Sequence, residues 1–224
     1  YEEFVYIISH DLSAPLRQIE GFADIIESNH SDSFDEKTKR HFALIHSGAT
    51  QATQILTALT NYSRLNTRAQ PFALMDCNEI VAQVLAELSP LIAEMGASIN
   101  CVELPSIIGD SEQIKLLFAC LIENALIYQL PGNKPVIFIS AKDDNNFWQF
   151  SINDNGIGVP DNLTEKIFKV LRRGVSSKKY PGLGMGLAIA QKILQKHLGD
   201  ISLNVDTNTG STFTFKIAKD LPYE

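Results

Sequence analysis

His10 is followed directly by Asp11 in the run Ser9-His-Asp-Leu-Ser-Ala-Pro15-Leu-Arg17. A neutral imidazole near physiological pH has a free nitrogen lone pair that can attack phosphorus, and an acidic neighbour can orient the ring or take its proton. A solvated surface histidine fits the same stretch, because adjacent helix residues point about 100° apart and Asp11 reaches the ring only with help from a distortion or a partner. Two glycine sets, Asp154-Asn-Gly156-Ile-Gly158 and Gly182-Leu-Gly184-Met-Gly186, have the composition that lets backbone N–H groups approach an anion. Turns explain such glycines equally well, so either set alone is a weak signal. Between them lie Arg172, Arg173, Lys178 and Lys179, either phosphate-neutralising cations or a solvated basic loop. Upstream, in Glu123-Asn124-Ala-Leu-Ile-Tyr128, the Asn124 amide offers an oxygen to Mg²⁺ and Tyr128 an aromatic face to a base. No Gly-x-x-x-x-Gly-Lys-Ser/Thr run exists, and Gly182 to Gly186 does not follow a first strand, which excludes the P-loop and Rossmann nucleotide folds.

The elements that must carry these groups follow from periodicity. Phe4, Ile8, Leu12, Leu16, Ile19, Ala23 and Ile26 recur at three- and four-residue steps, one face of a helix with His10 nearly opposite. Pro15 has no N–H for the Asp11 carbonyl, so a bend is expected just after His10. A polar turn is expected over 28–35, with Asp35 or Ser33 as a cap. A second amphipathic helix then carries Phe42, Ile45, Ala49, Ala52, Leu56 and Leu59. Two helices on a short turn leave apolar faces uncovered, and a second copy would complete a four-helix bundle, so a homodimer through residues 1–66 is expected; packing of the hairpin on the rest of the chain is the alternative.

Residues 66–71 read as a linker ending in proline. Beyond it the pattern predicts a strand at 72–75, a helix at 78–95, strands at 97–103 and 106–109, and a helix at 111–128 with Leu117, Cys120, Leu121 and Ala125 inward. Strands at 135–142 and 148–154, a short helix at 162–170, a helix at 186–197 and a hairpin of 201–205 with 212–217 complete the chain. Mixed but not alternating elements imply α+β: a single mixed sheet with helices on one face.

The 224 residues carry a net charge of −7 and a pI near 5.2, which argues against a nucleic-acid partner. Cys77, Cys101 and Cys120 lack Cys-x-x-Cys spacing, so neither a disulfide framework nor a zinc site is indicated and a reducing, cytoplasmic location is expected. No run approaches a membrane span and the first residues do not form a signal peptide. They read as a helix entered in mid-course, so a fragment is expected whose full-length form could still be membrane-anchored.

In order, Ser9-His10-Asp11-Leu-x-x-Pro15-Leu16, Asn124-Ala125, Asp154-x-Gly156-x-Gly158, Ile167-Phe168 and Gly182-x-Gly184-x-Gly186-Leu187 resemble the H, N, G1, F and G2 boxes of two-component sensor histidine kinases. Tyr180-Pro181-Gly182 and the His-Asp-Leu form look most like the phytochrome-type branch. The resemblance covers essentially the whole chain. It implies a dimerisation and histidine phosphotransfer hairpin over 1–68, then an ATP-binding catalytic domain of Bergerat (GHKL) fold, an α/β sandwich, over 69–224.

Carried over, the resemblance makes His10 the phosphoacceptor and Asp11 its acid/base neighbour. Asn124 would hold Mg²⁺, Tyr128 would pack by the adenine, and Asp154 would bond the adenine amino group. Gly156 and Gly158 would shape the base pocket, Phe168 would anchor the lid holding Lys178 and Lys179, and Gly182, Gly184, Gly186 and Leu187 would wrap the phosphates of ATP. A response-regulator receiver domain and a sensor domain upstream are the implied partners. Three positions depart from the family: Cys120 and Ile127, usually polar and basic, and Ala14, often Thr or Asn where such kinases also act as phosphatases. The first two put Mg²⁺ affinity and turnover in question, and the third puts phosphatase activity in question. A degenerate kinase acting as a dimeric nucleotide-binding module, and a GHKL-type ATPase, are the alternatives.

Overall fold

The computed structural model describes residues 2–30, 33–65, 69–172, 180, 182–204 and 210–222, without the side chains of 2–6, 10 and 161. They fall into two compact units, Tyr1–Thr67 and Arg68–Glu224.

The first unit is a hairpin of two 29-residue helices, α1 (Glu2–His30) and α2 (Glu36–Arg64). The Asp35 carboxylate starts α2 by accepting from the Thr38 N–H at 2.7 Å. Thr50 meets Glu20, and His46 lies 3.5 Å from Asp24 and 3.3 Å from Glu27, so the helices run antiparallel. Ala23 and Ala49 are buried between them. α1 continues as helix through Pro15. It also extends into the stretch expected to turn, and ends only at His30. Ile19, Phe22, Ile26 and Ile45 remain exposed within one unit, around an apolar groove that also includes Pro15 and Phe42.

The second unit holds β1 (Ala73–Asp76), α3 (Cys77–Glu87), α4 (Ser89–Met95), β2 (Ser98–Cys101), β3 (Ser106–Gly109), α5 (Ser111–Ile127), β4 (Val136–Asp144), β5 (Phe147–Asp154), α6 (Gly186–Lys196), β6 (Ile201–Asn204) and β7 (Ser211–Ala218). A mixed sheet runs in the order β2-β4-β5-β7-β6, parallel only between β2 and β4. Its inner face, Ile137, Ile139, Phe150, Ile152 and Phe215, is fully buried, whereas Val136 and Phe138 on the other face stand open. Phe118 of α5 meets Phe150 and Phe215 edge to face, at 5.7 and 5.6 Å, while those two stack at 5.0 Å. This aromatic core fixes α5 on the sheet and brings its C-terminal end beside the end of β5.

Four further expectations are corrected. The helix expected over 78–95 is broken at Leu88, because Pro90 cannot donate a helical hydrogen bond and instead opens α4. β1 and β3 form a separate two-stranded sheet, each strand leading directly into a helix capped by Asp76 or Asp110. The helix expected over 162–170 is two 3₁₀ turns, Asp161–Leu163 and Lys166–Phe168. The second turn buries Ile167 and Phe168 against α6, so tertiary contact rather than helical propagation fixes a segment too short to be stable alone. Finally, Leu117, Leu121 and Ala125 are buried as expected, but Cys120 is only half-buried and faces a cavity.

Candidate functional site

The cavity, of about 240 Å³, opens where the ends of α5, β5 and β7 meet the start of α6. Asp110 caps α5 through the Gln113 N–H at 3.2 Å. Seventeen residues of helix then set Cys120, Asn124 and Ile127 on one face, four and three residues apart, with Glu123 and Tyr128 beside them along the cavity wall.

Asp154 ends β5 and is 6 % exposed, so its carboxylate needs partners. Oδ1 accepts from the Gly156 N–H at 2.8 Å and Oδ2 from the Ser211 hydroxyl at 2.6 Å. Burial pushes its carboxyl up from the ordinary range, opposed by the Ser211 and Gly156 bonds. A carboxylate oxygen has room for a further donor, so Asp154 can still accept a ligand amino group. Gly156 has no alternative: a Cβ there would collide with the Tyr128 carbonyl and with Asp154 Oδ1.

In the wall of the same cavity, Gly182, Leu183, Gly184 and Met185 lead into α6. Met185, at the N-cap, offers no side-chain hydrogen bond, so the first N–H groups of α6 remain available to an anion at the positive end of the helix. Leu187 lines the same wall. An acceptor for an amine and an uncapped helix N-terminus in one cavity suit an adenine nucleotide. Arg172 is the cation among the described lining residues, accompanied by Glu123 and Asp154.

Among the described residues no cluster of three His, Cys, Asp or Glu side chains could hold a metal. The residues present would suit Mg²⁺ only as a nucleotide-borne ion, for which Asn124 could supply an amide oxygen while phosphates and water supplied the remainder. Cys120 adds no anion, since burial pushes its thiol up to about 12.

The structure thus brings Asn124, Tyr128, Asp154, Gly158, Gly182, Gly184, Gly186 and Leu187 to one cavity. Gly156 backs it, and Phe168 is buried beside the lining residue Ile167. Lys178 and Lys179, with Arg173, lie outside the described residues. His10 sits in α1 with its side chain outside the description, and the Asp11 side chain is exposed. Sequence reasoning missed Ser211, which the register of β7 pairs with Asp154. It also missed Gln129, whose Oε1 accepts from Asn133 while Asn133 donates to the Asn155 carbonyl, bracing the Asp154 turn.

Residues 109–221 match the family described as "Histidine kinase-, DNA gyrase B-, and HSP90-like ATPase". "Phytochrome-like protein Cph1" from Synechocystis sp. is 33% identical over 217 residues, covering 96% of this chain and 29% of its own length. The chain therefore spans less than a third of that relative. Two solved structures share the fold: full-length ShkA in complex with AMPPNP, with TM-score 0.70 and 20% identity over 99% of this chain and 47% of that one, and histidine kinase ThkA in complex with response regulator protein TrrA, with TM-score 0.64 and 21% identity over 97% and 63%.

Proposed function

Because the chain belongs to the histidine kinase-, DNA gyrase B- and HSP90-like ATPase family, as a sensor histidine kinase catalytic core, we propose that it autophosphorylates His10 from ATP and passes the phosphoryl group to a response-regulator aspartate. The observation that carries this reading is the presence of a buried acceptor, Asp154, and the uncapped N-terminus of α6 in one cavity. Asp154 receives the adenine amino group, Tyr128 packs by the base, and Gly182, Gly184, Gly186 and Leu187 enclose the phosphates. Asn124 contributes to Mg²⁺, which when bound neutralises phosphate charge. A ring nitrogen of His10 forms its bond to the γ-phosphorus as the bond from phosphorus to the β,γ-bridging oxygen breaks. ADP leaves with that electron pair, and Asp11 orients the ring or takes its other proton. Most of the catalysis is positioning and charge neutralisation.

Residues 1–68 serve as the dimerisation and phosphotransfer domain and 69–224 as the ATP-binding domain. The exposed Ile19, Phe22, Ile26 and Ile45 support a homodimer, since a second hairpin would cover them. The ThkA complex supports a receiver domain as partner. The greater length of Cph1 supports a sensor region elsewhere in the whole protein. Among the described residues no helix is long and apolar enough to cross a membrane, and a cytoplasmic position for this part is proposed.

Incubation with γ-labelled ATP and Mg²⁺, then an acid wash, tests the proposal. Wild type should carry an acid-labile label, and His10→Gln should lose the label while still binding ATP; a mutant that keeps it moves the acceptor elsewhere. A second reading, a degenerate kinase that holds nucleotide without turnover, is favoured by Cys120 and Ile127 on the cavity wall. It predicts ATP binding with no label in wild type.

A further inference from the structure

We infer that Tyr180 is a positioning residue that ties the glycine-rich phosphate segment 182–186 to the turn after α5, so that one rigid post aligns the phosphate and adenine ends of the cavity. The inference rests on the nucleotide reading above and deepens it.

Tyr180 is 6 % exposed, deeper than a phenol usually lies. Its hydroxyl donates to the Gln129 carbonyl at 2.9 Å. Its ring lies 5.4 Å from the Tyr128 ring, tilted at 44°. The turn it grips is itself fixed. The Gln129 side chain donates to the Ala125 carbonyl at 2.6 Å and accepts from Asn133 at 2.7 Å, and the Tyr128 carbonyl accepts from the Ile157 N–H at 3.0 Å. The same two residues, Tyr128 and Gln129, therefore hold the Asp154 turn on one side and Tyr180 on the other.

Two residues beyond Tyr180, Gly182 has φ of 123°, and a Cβ there would sit 3.8 Å from the Tyr128 hydroxyl. Gly182 therefore lies beside Tyr128, and from it the segment 182–185 runs along the cavity wall into α6, whose first residues line the same cavity. Tyr180, through its hydrogen bond and ring contact, and Gly182, through its closeness to the Tyr128 hydroxyl, thus both meet the turn after α5, which is what positions the N–H groups at the start of α6. Asp154, Gly156 and Ser211 do not use Tyr180, so the adenine acceptor does not depend on its hydroxyl.

The test uses calorimetry of the 224-residue protein with adenosine, ADP and Mg·ATP, beside melting curves without ligand. Tyr180→Phe keeps the ring and removes one hydrogen bond; adenosine affinity should stay within about twofold while ADP and Mg·ATP affinities fall about fivefold or more, the scale of one lost buried hydrogen bond. Tyr180→Leu, which also removes the backing of Tyr128, should weaken adenosine as well. Equal loss for all three ligands in Tyr180→Phe, or no loss in a protein that melts normally, overturns the inference. A wild-type protein that binds neither adenosine nor ATP overturns the nucleotide reading and this inference with it, a result distinct from an unaltered Tyr180→Phe.

Discussion

Ser211 and Asp154 are direct cross-strand partners in β7 and β5, and the Ser211 hydroxyl donates to Asp154 Oδ2 at 2.6 Å. Both are 6 % exposed, so neither group has water as a ready substitute. Burial raises the Asp154 carboxyl and the Ser211 bond is the foremost influence opposing it. On the proposed adenine reading, the amino group would donate to the ionised form. Affinity is therefore full above the folded-state pKa and is lost as pH falls through it.

Ser211→Ala should weaken adenosine binding by about 1 kcal/mol, roughly fivefold, and should move the acid loss of affinity to higher pH. Calorimetric titrations at stepped pH measure both. The stability effect has the opposite sense. Without ligand, an ionised carboxylate in this site costs the fold above its raised pKa, and acidification relieves that cost, so the mutant should lose more stability at neutral than at acid pH. A pH profile identical to wild type would show that Ser211 does not set the charge of Asp154.

The two helices of the hairpin, α5 and the β4–β5 and β6–β7 pairs could be read from apolar periodicity and turn residues, because those signals are local. The partner of Asp154 could not, since the Gly210-Ser211-Thr212 run looks like an ordinary strand entry until the register is known. Nor could the role of Gln129, which follows a helix and carries no motif; only its 4 % exposure marks it. The separation of β1 and β3 from the main sheet was equally hidden, because strand pairing is a long-range choice. Cys120 reads as core because it keeps step with Leu117 and Leu121, but the apolar stripe does not say where the neighbouring layer stops and the cavity begins.

His197 is fully buried at the end of α6, stacked on Phe72 at 4.8 Å. Its Nδ1 pairs with the Ile193 carbonyl at 2.8 Å, and Nε2 accepts from the Asp110 N–H at 3.1 Å, which the neutral ring alone can do. Burial pushes its pKa down; Lys196 acts in the same sense, while the Ile193 bond and Asp110 oppose. The folded form thus resists a proton that the unfolded chain accepts. Stability should be full above the unfolded value near 6.5 and fall as pH drops toward the folded-state pKa, by up to about 1.4 kcal/mol per pH unit. Urea melts of wild type and His197→Gln between pH 5 and 8 check this, and a wild-type slope kept in the mutant would place its origin elsewhere.

Leu198 has φ of 52° although 63% of it is exposed. Its N–H bonds the Gln195 carbonyl and the Gly199 N–H bonds the Leu194 carbonyl, so the helix ends in a Schellman motif with leucine where glycine is favoured. Leu198→Gly should relieve about 1–2 kcal/mol of left-handed strain, less the added entropy of glycine in the unfolded chain. The net gain should be roughly 0.5–1 kcal/mol, or about 1–4 °C in the melting transition of a unit this size. The transition to follow is the one that added ATP shifts, since a two-unit chain need not melt in one step. A lower melting temperature would show that the leucine side chain contributes a contact worth more than the strain.

Cys120 and Ile127 stand on the α5 face that carries Asn124, and all three line the cavity. Neither side chain therefore offers a cation or an anion beside Asn124, since the Cys120 thiol stays neutral at physiological pH. With Arg172 as the cation among the described lining residues, a bound nucleotide's phosphates would meet few charges on this face. Cys120→Asn together with Ile127→Lys would add an amide and an ammonium, each a charge-assisted contact of about 1.5–3 kcal/mol if well placed. Ile127 is half-buried and Cys120 borders Gly186, whose added Cβ would lie 3.7 Å from the sulfur, so Asn at 120 enters a packed corner whereas Lys at 127 can extend along the wall. Tighter Mg·ATP binding and faster autophosphorylation are expected, with adenosine affinity unchanged, and Ile127→Lys alone should give the larger share. Adenosine and Mg·ATP affinities measured side by side, with a melting curve for each protein, separate a phosphate effect from a folding defect. Unchanged Mg·ATP affinity in a mutant that melts like wild type would place these two side chains away from the phosphates.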